Sequence, residues 1–128
     1  MANKRLMLDT SILIDYFRST DKINTRLVQL SEQYTDLFIS TITEYEIFNG
    51  ATTEQLNFWN DVLASFTVLS FDSSAARAAA KLRNKLKKQG RTIETADLFI
   101  ASVAISNNLI LDTFNRKHFL VIDSLTLL

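Results

Sequence analysis

The chain has no cysteine, no proline, two glycines and one histidine among its 128 residues. Without cysteine there is no disulfide scaffold and no thiolate to bind a metal or attack a substrate. No Pro/Gly/Ser-rich stretch marks a linker, no low-complexity tract suggests disorder, and no internal repeat divides the chain. The longest apolar stretch, near "LFIASVAI", is far short of a membrane span. The apolar run behind Lys4 and Arg5 stops at Asp9, too short for the core of a secretory signal. Neither sign of charge is in excess, with 14 basic and 14 acidic residues. That balance removes a global nucleic-acid signature but leaves room for a local basic stripe. A soluble, cytoplasmic protein is expected.

What is present is a 47% hydrophobic sequence of single-domain length, read as one domain over 1–128. "RLMLD" reads as a short buried strand and "SILIDYFRS" as a helix with Ser11 as N-cap. "DKINTRLVQLSEQY" spaces Ile23, Leu27 and Leu30 for a helix, and "DLFIS" makes a second strand. "TITEYEIFNG" follows as a helix, with Thr41 and Glu44 as a capping box and Gly50 as C-cap. "TTEQLNFWNDVLASF" sets Leu56, Trp59 and Leu63 on one helical face before a third strand, "TVLSF". A long Ala-rich helix enters at Asp72 or Ser73 and closes at Gly90. The very apolar "TADLFIASVAISNN" suits a central helix, "LILDT" a fourth strand and "FLVI" a fifth. Short apolar strands alternating with helices imply an α/β domain with a mainly parallel sheet.

In such sheets ligands bind beyond the carboxyl ends of the strands, and Asp9 sits at one such end. Glu46 lies in the helix after the second strand, Asp97 in the first turn of the most apolar helix. "DTFNRKHF" follows the fourth strand. Each acid also has a purely structural reading: a turn former, a solvated side chain, a helix-dipole partner. Brought to one sheet edge, they would repel one another and raise each other's pKa. A divalent cation would relieve that repulsion. All-oxygen ligation with no cysteine and a single histidine favours Mg²⁺ or Mn²⁺ over zinc, and such a site suits phosphodiester hydrolysis.

The blocks "LDTSILIDYF", "STITEYEIFNGA", "GRTIETADLFIASVA" and "LILDTFNRKHFLVI" resemble, in order and spacing, those of PIN-domain proteins, and most of all the VapC toxins of bacterial toxin–antitoxin pairs. The resemblance spans nearly the whole chain. It implies a three-layer α/β/α sandwich and a metal-dependent endoribonuclease, using Mg²⁺ or Mn²⁺, that leaves a 5′-phosphate. It also implies a homodimer inhibited by a VapB-type antitoxin. The family's three acids fall on Asp9, Glu46 and Asp97, with Thr10 and Ser11 as hydroxyls orienting Asp9 or a bound water. The fourth block departs from the family's richest acidic pattern. Thr113 is kept, but Asn115 is neutral and His118 stands where an acid is common. Asn115 would reach a metal through water. Asp112 should point away from Thr113 by strand alternation, while Glu94 and Asp15 are ambiguous accessory acids.

Arg77, Lys81, Lys85 and Lys88 follow helical spacing, with Arg83, Lys87 and Arg91 nearby. They make either a phosphate-contacting stripe or an ordinary solvated face. Arg91, just before the Thr92–Asp97 segment, is the candidate for reaching an RNA phosphate. Tyr16, Phe17, Phe48, Phe58 and Trp59 are shared between core and antitoxin groove. Two other readings stand beside the nuclease. One is a catalytically weak PIN-fold module that binds RNA or protein. The other is a phosphotransferase with Asp9 as nucleophile, disfavoured because Ser11 occupies the position where such enzymes carry a second Asp.

Overall fold

Four short strands carry the sheet: β1 (Arg5–Leu8), β2 (Asp36–Ser40), β3 (Thr67–Leu69) and β4 (Leu111–Asp112). The computed structural model describes residues 4–128, so the first three residues of the expected domain lie outside the described ones. All pairings are parallel, in the order β3-β2-β1-β4. Parallel strands need crossovers, and helices supply them. Between β1 and β2 run α1 (Thr10–Arg18) and α2 (Arg26–Gln33); between β2 and β3, α3 (Thr41–Gly50) and α4 (Leu56–Leu63). The return to β4 uses α5 (Ser73–Lys88) and α6 (Thr95–Ser106), and α7 (Arg116–Phe119) follows.

Alternation along the strands splits the core into two layers. Leu6, Leu8 and Ile39 face one side, with Ile12 and Leu13 of α1, Leu27 and Leu30 of α2, and Trp59 and Leu63 of α4. Met7, Phe38 and Leu111 face the other, against α5, α6 and Phe119. A sheet covered on both faces needs apolar residues at successive positions, hence the unbroken "LML" of β1. The result is an α/β/α sandwich. Because β2 lies on one side of β1 and β4 on the other, the chain's winding reverses at β1 and opens a crevice at the strands' carboxyl ends.

Several local expectations are corrected. Asp9, not Ser11, is the N-cap of α1, and its carboxylate makes no capping bond. Lys22–Asn24 form a separate 3-10 turn, in which Lys22 Nζ donates to the Tyr16, Phe17 and Ser19 carbonyls. Ile23 is therefore exposed instead of continuing the α2 face. The cap of α3 is Ser40, whose Oγ accepts from Thr43 N at 3.2 Å. The Thr41–Glu44 box does not form, because Thr41 Oγ1 accepts from Phe71 N and ties α3 to the exit of β3. A capping box does form at Thr52 and Gln55. Gly50 is the last helical residue of α3, and Ala51, with extended backbone, is the C-cap. Gly90, by contrast, closes the α5 segment at φ 67°, where glycine is unstrained. Leu56 is more exposed than Trp59 and Leu63, the two residues of its expected face that are buried. "FLVI" is not a strand. Phe119 and Ile122 are buried three residues apart while Leu120 is exposed, the spacing of a helical turn.

Candidate active site

Asp9 leaves the end of β1 only 3% exposed, with its amide donating to the Asp112 carbonyl of β4 at 2.9 Å. A carboxylate so placed needs donors. Two hydroxyls provide them at Oδ2: Ser11 Oγ at 2.8 Å and Thr113 Oγ1 at 2.7 Å. Each hydroxyl is held in turn by a backbone amide, Ser11 Oγ by Phe114 N at 3.0 Å and Thr113 Oγ1 by Asn115 N at 2.9 Å. The Ser11 and Thr113 oxygens lie 3.4 Å apart. The segment after β4 is thereby stitched to the start of α1, and Asp9 is the knot. Among the described residues nothing donates to Asp9 Oδ1, and no buried side-chain oxygen lacks a partner, so Oδ1 is open to the cavity.

Thr10 serves a different acid. Its hydroxyl donates to Glu46 Oε1 at 2.7 Å and lies 3.0 Å from the buried Thr43 hydroxyl. Of the two hydroxyls expected to orient Asp9 or a bound water, Ser11 holds Asp9 and Thr10 holds Glu46. Thr43, unnoticed in the sequence, backs this contact one turn before Glu46. Asp97 enters from the first turn of α6, with its Oδ2 3.1 Å from His118 Nδ1.

Asp9, Glu46 and Asp97 line one cavity of about 490 Å³, together with Thr10, Ser11, Asp15, Phe114 and Asn115. Burial raises the proton affinity of the Glu46 carboxyl, and the charges of Asp9 and Asp97 add to that rise against the lowering by Thr10. Asp97 is raised as well, first by burial and then by Asp9, with Glu94 adding a little and His118 opposing. The acids thus repel one another across the cavity, as the sequence argument requires. Carboxylate oxygens with hydroxyl support are the donors that hard divalent cations take. As placed, however, no three His, Asp or Glu side chains among the described residues stand close enough to share one ion.

Asp112 is not part of this set. Buried at 4% exposure, it accepts from Arg26 Nε at 2.9 Å and Nη2 at 3.4 Å, and the guanidinium's own proton affinity rises through that bond. Arg91 reaches the Val121 carbonyl at 3.4 Å and Asp123 at 3.9 Å, not the acids. The cations beside Asp97 are instead Arg83, Lys87 and Lys117, in an adjoining cavity with His118 and Glu94. The Arg83/Lys87 pair had a legible signal, its i, i+4 spacing, but nothing in the sequence said which face of α5 meets the acids. The aromatics Tyr16, Phe17, Phe58 and Trp59 pack on one another with ring centroids 5.1–6.2 Å apart. Trp59 is buried and the others half-buried. Next to them, at the amino ends of the strands, an apolar cavity of about 330 Å³ lies between Tyr16, Leu27, Tyr34 and Phe66.

A doubly covered parallel sheet with carboxylates gathered at its switch point defines an α/β domain whose chemistry lies at the strand ends. This chain belongs to the PIN-domain family, whose model matches residues 6–124. It is 34% identical over 119 residues to ribonuclease VapC1 of Methanocaldococcus jannaschii, covering 90% of this chain and 79% of the relative. It is 32% identical over 120 residues to the tRNA(fMet)-specific endonuclease VapC of Shigella flexneri, covering 90% and 89%. The solved structure of VapBC-1 from nontypeable Haemophilus influenzae matches with a TM-score of 0.83 at 32% identity, over 97% of this chain and 96% of that one.

Proposed function

We propose that the chain is a Mg²⁺- or Mn²⁺-dependent endoribonuclease, the toxin of a toxin–antitoxin pair restrained by a VapB-type antitoxin. One observation carries this reading. Acids from three distant segments, Asp9, Glu46 and Asp97, line a single cavity at the switch point, where burial and the charge of Asp9 raise the proton affinity of the other two. The relatives' names, a ribonuclease and a tRNA-specific endonuclease, support RNA as the substrate class. The VapBC complexes among the structural neighbours support the partner. A homodimer acting in the cytoplasm belongs to the same proposal. No helix among the described residues is long and apolar enough to cross a membrane.

Asp9, Glu46 and Asp97 would hold the ion after drawing in from the wider spacing they have here, with Asn115 contributing through water. The bound ion would neutralise the acids, lower the pKa of an attacking water and stabilise charge on the phosphate oxygens. Ser11 and Thr113 fix Oδ2 of Asp9, which leaves Oδ1 as its free donor atom. Thr10 holds Glu46, and His118 holds Oδ2 of Asp97. One of these acids would also accept a proton from the attacking water.

The test is incubation of total cellular RNA with antitoxin-free protein in Mn²⁺ or Mg²⁺, beside EDTA and Asp97→Ala controls. Discrete fragments from the wild type alone, at least about 100-fold above either control, are expected. Intact RNA overturns the nuclease. It favours the PIN-fold binding module instead, to which the neutral Asn115 and the spread of the carboxylates already lean.

A further inference from the structure

The cavity that adjoins the acids is larger than theirs, about 750 Å³, and it shares Asp97 with them. Its wall carries Arg83 and Lys87 from α5 and Lys117 from α7, against one further acid, Glu94. Arg83 is built in: Nη1 donates to the Ile93 carbonyl at 2.8 Å and Nη2 to Thr95 Oγ1 at 3.2 Å, so its charge is held beside the turn into α6. Lys87 and Lys117 are exposed and, among the described residues, form no ion pair. Two unpaired ammonium groups and one anchored guanidinium thus converge beside an acidic centre in a chain with no net charge.

We propose that this cavity is a second RNA subsite, which takes the backbone phosphates flanking the bond to be cut. The inference rests on the nuclease reading above. A polymer whose scissile phosphate sits between Asp9, Glu46 and Asp97 must carry its neighbouring phosphates over adjoining ground. The ground beyond Asp97 is cationic. Lysine is a point charge that neutralises phosphate without reading a base, so the subsite adds affinity and register but no sequence preference. Arg83 shapes the wall, and Lys87 and Lys117 make the contacts. The outward lysines of α5, Lys81 and Lys85, lie outside this cavity and supply a charge-matched control.

The experiment measures binding of a short, mixed-sequence single-stranded RNA in EDTA over a range of salt, and cleavage of total cellular RNA in Mn²⁺. It compares wild type, Lys87→Gln/Lys117→Gln and Lys81→Gln/Lys85→Gln. Each phosphate contact on a single strand contributes about 0.7 to the slope of log affinity against log salt. Lys87→Gln/Lys117→Gln should therefore lower that slope by about 1.4, weaken binding about tenfold at moderate salt, and slow cleavage at low RNA concentration. The control pair should leave the slope unchanged. All four lysines are exposed, so both variants should fold, which circular dichroism verifies. If wild type cuts RNA while Lys87→Gln/Lys117→Gln keeps the wild-type slope, or both pairs lower it equally, the subsite is overturned and the nuclease stands. If wild type neither binds nor cuts RNA, both fall together.

Discussion

Two buried aspartates end neighbouring strands of the same sheet, and the protein treats them in opposite ways. Asp112, at the end of β4, is given a guanidinium: Arg26 grips both carboxylate oxygens from α2. Asp9, at the end of β1, is given only hydroxyls, both on one oxygen. A charge matched by a charge is finished, and its contribution is to tie α2 to the sheet. A charge matched by neutral donors keeps its field and one open oxygen, and so remains available to a cation. Nearly equal burial, 3% and 4% exposure, therefore says nothing about role; the partner does.

The largest effect expected from this contrast is a double dissociation. Asp9→Asn keeps an acceptor for Ser11 and Thr113, so it should leave the fold intact while RNA cleavage drops by about 10³-fold or more. Asp112→Ala should do the reverse on thermal denaturation. It strands the Arg26 guanidinium, which is partly open to water, and should cost about 2–3 kcal/mol. If Asp112→Ala kills cleavage in protein that is still folded, the division of labour is wrong.

A smaller effect is expected at the knot itself. Thr113→Val keeps the shape but removes the donor to Asp9 Oδ2 and the acceptor for Asn115 N. Loss of such a supporting contact typically costs about 10- to 100-fold in activity or metal affinity, with roughly 1 kcal/mol of stability. Thr10→Val should act through Glu46 instead, so the two effects on cleavage should add. Non-additivity would show that the two hydroxyls serve one acid.

The smallest effect is in the pH dependence of stability. Glu46 has a higher pKa folded than unfolded, chiefly because it is partly buried. Protonation therefore favours the folded chain, and this contribution is complete below the unfolded value of about 4.3. It is lost as pH rises through the folded value, so at neutral pH the charge opposes folding. Glu46→Gln, which can still accept from Thr10, should melt a degree or two higher at about pH 7, after discount for solvent screening. The difference should vanish near pH 4. Added Mn²⁺ should raise the melting temperature of wild type more than that of Glu46→Gln; equal shifts would remove Glu46 from the ion's ligands.

Much of this was legible beforehand where the governing interactions are short in range. β1 through β4 were readable because sheet burial demands apolar runs, and α5 because Asp72 caps it and Gly90 ends it. Asp9 and Asp97 stood out because a strand end and a helix start lie beside them in the chain, whereas Glu46, in the middle of α3, was picked out through the family's blocks. Capping was read two residues late at α1 and one residue late at α3, since Asp9 and Thr41 are drawn into tertiary contacts that no local pattern reveals. The fifth strand failed for a related reason: an apolar run of four residues fits a strand or a helical turn equally.

The sequence alone determined the alternation of strands and helices, since it follows from residue type and near spacing, and it singled out Asp9, Glu46 and Asp97 as candidate acids through their place in the family's blocks. Only the tertiary structure decided which acid is neutralised and which stays free. Arg26 meets Asp112 across 86 residues and Thr113 meets Asp9 across 104, and those meetings depend on the crossovers that bring β4 beside β1. It likewise decided that Lys87 and Lys117, not Arg91, border the cavity that Asp97 shares, because the packing of α5 on α6 and the placement of α7 after β4 set which side chains meet there.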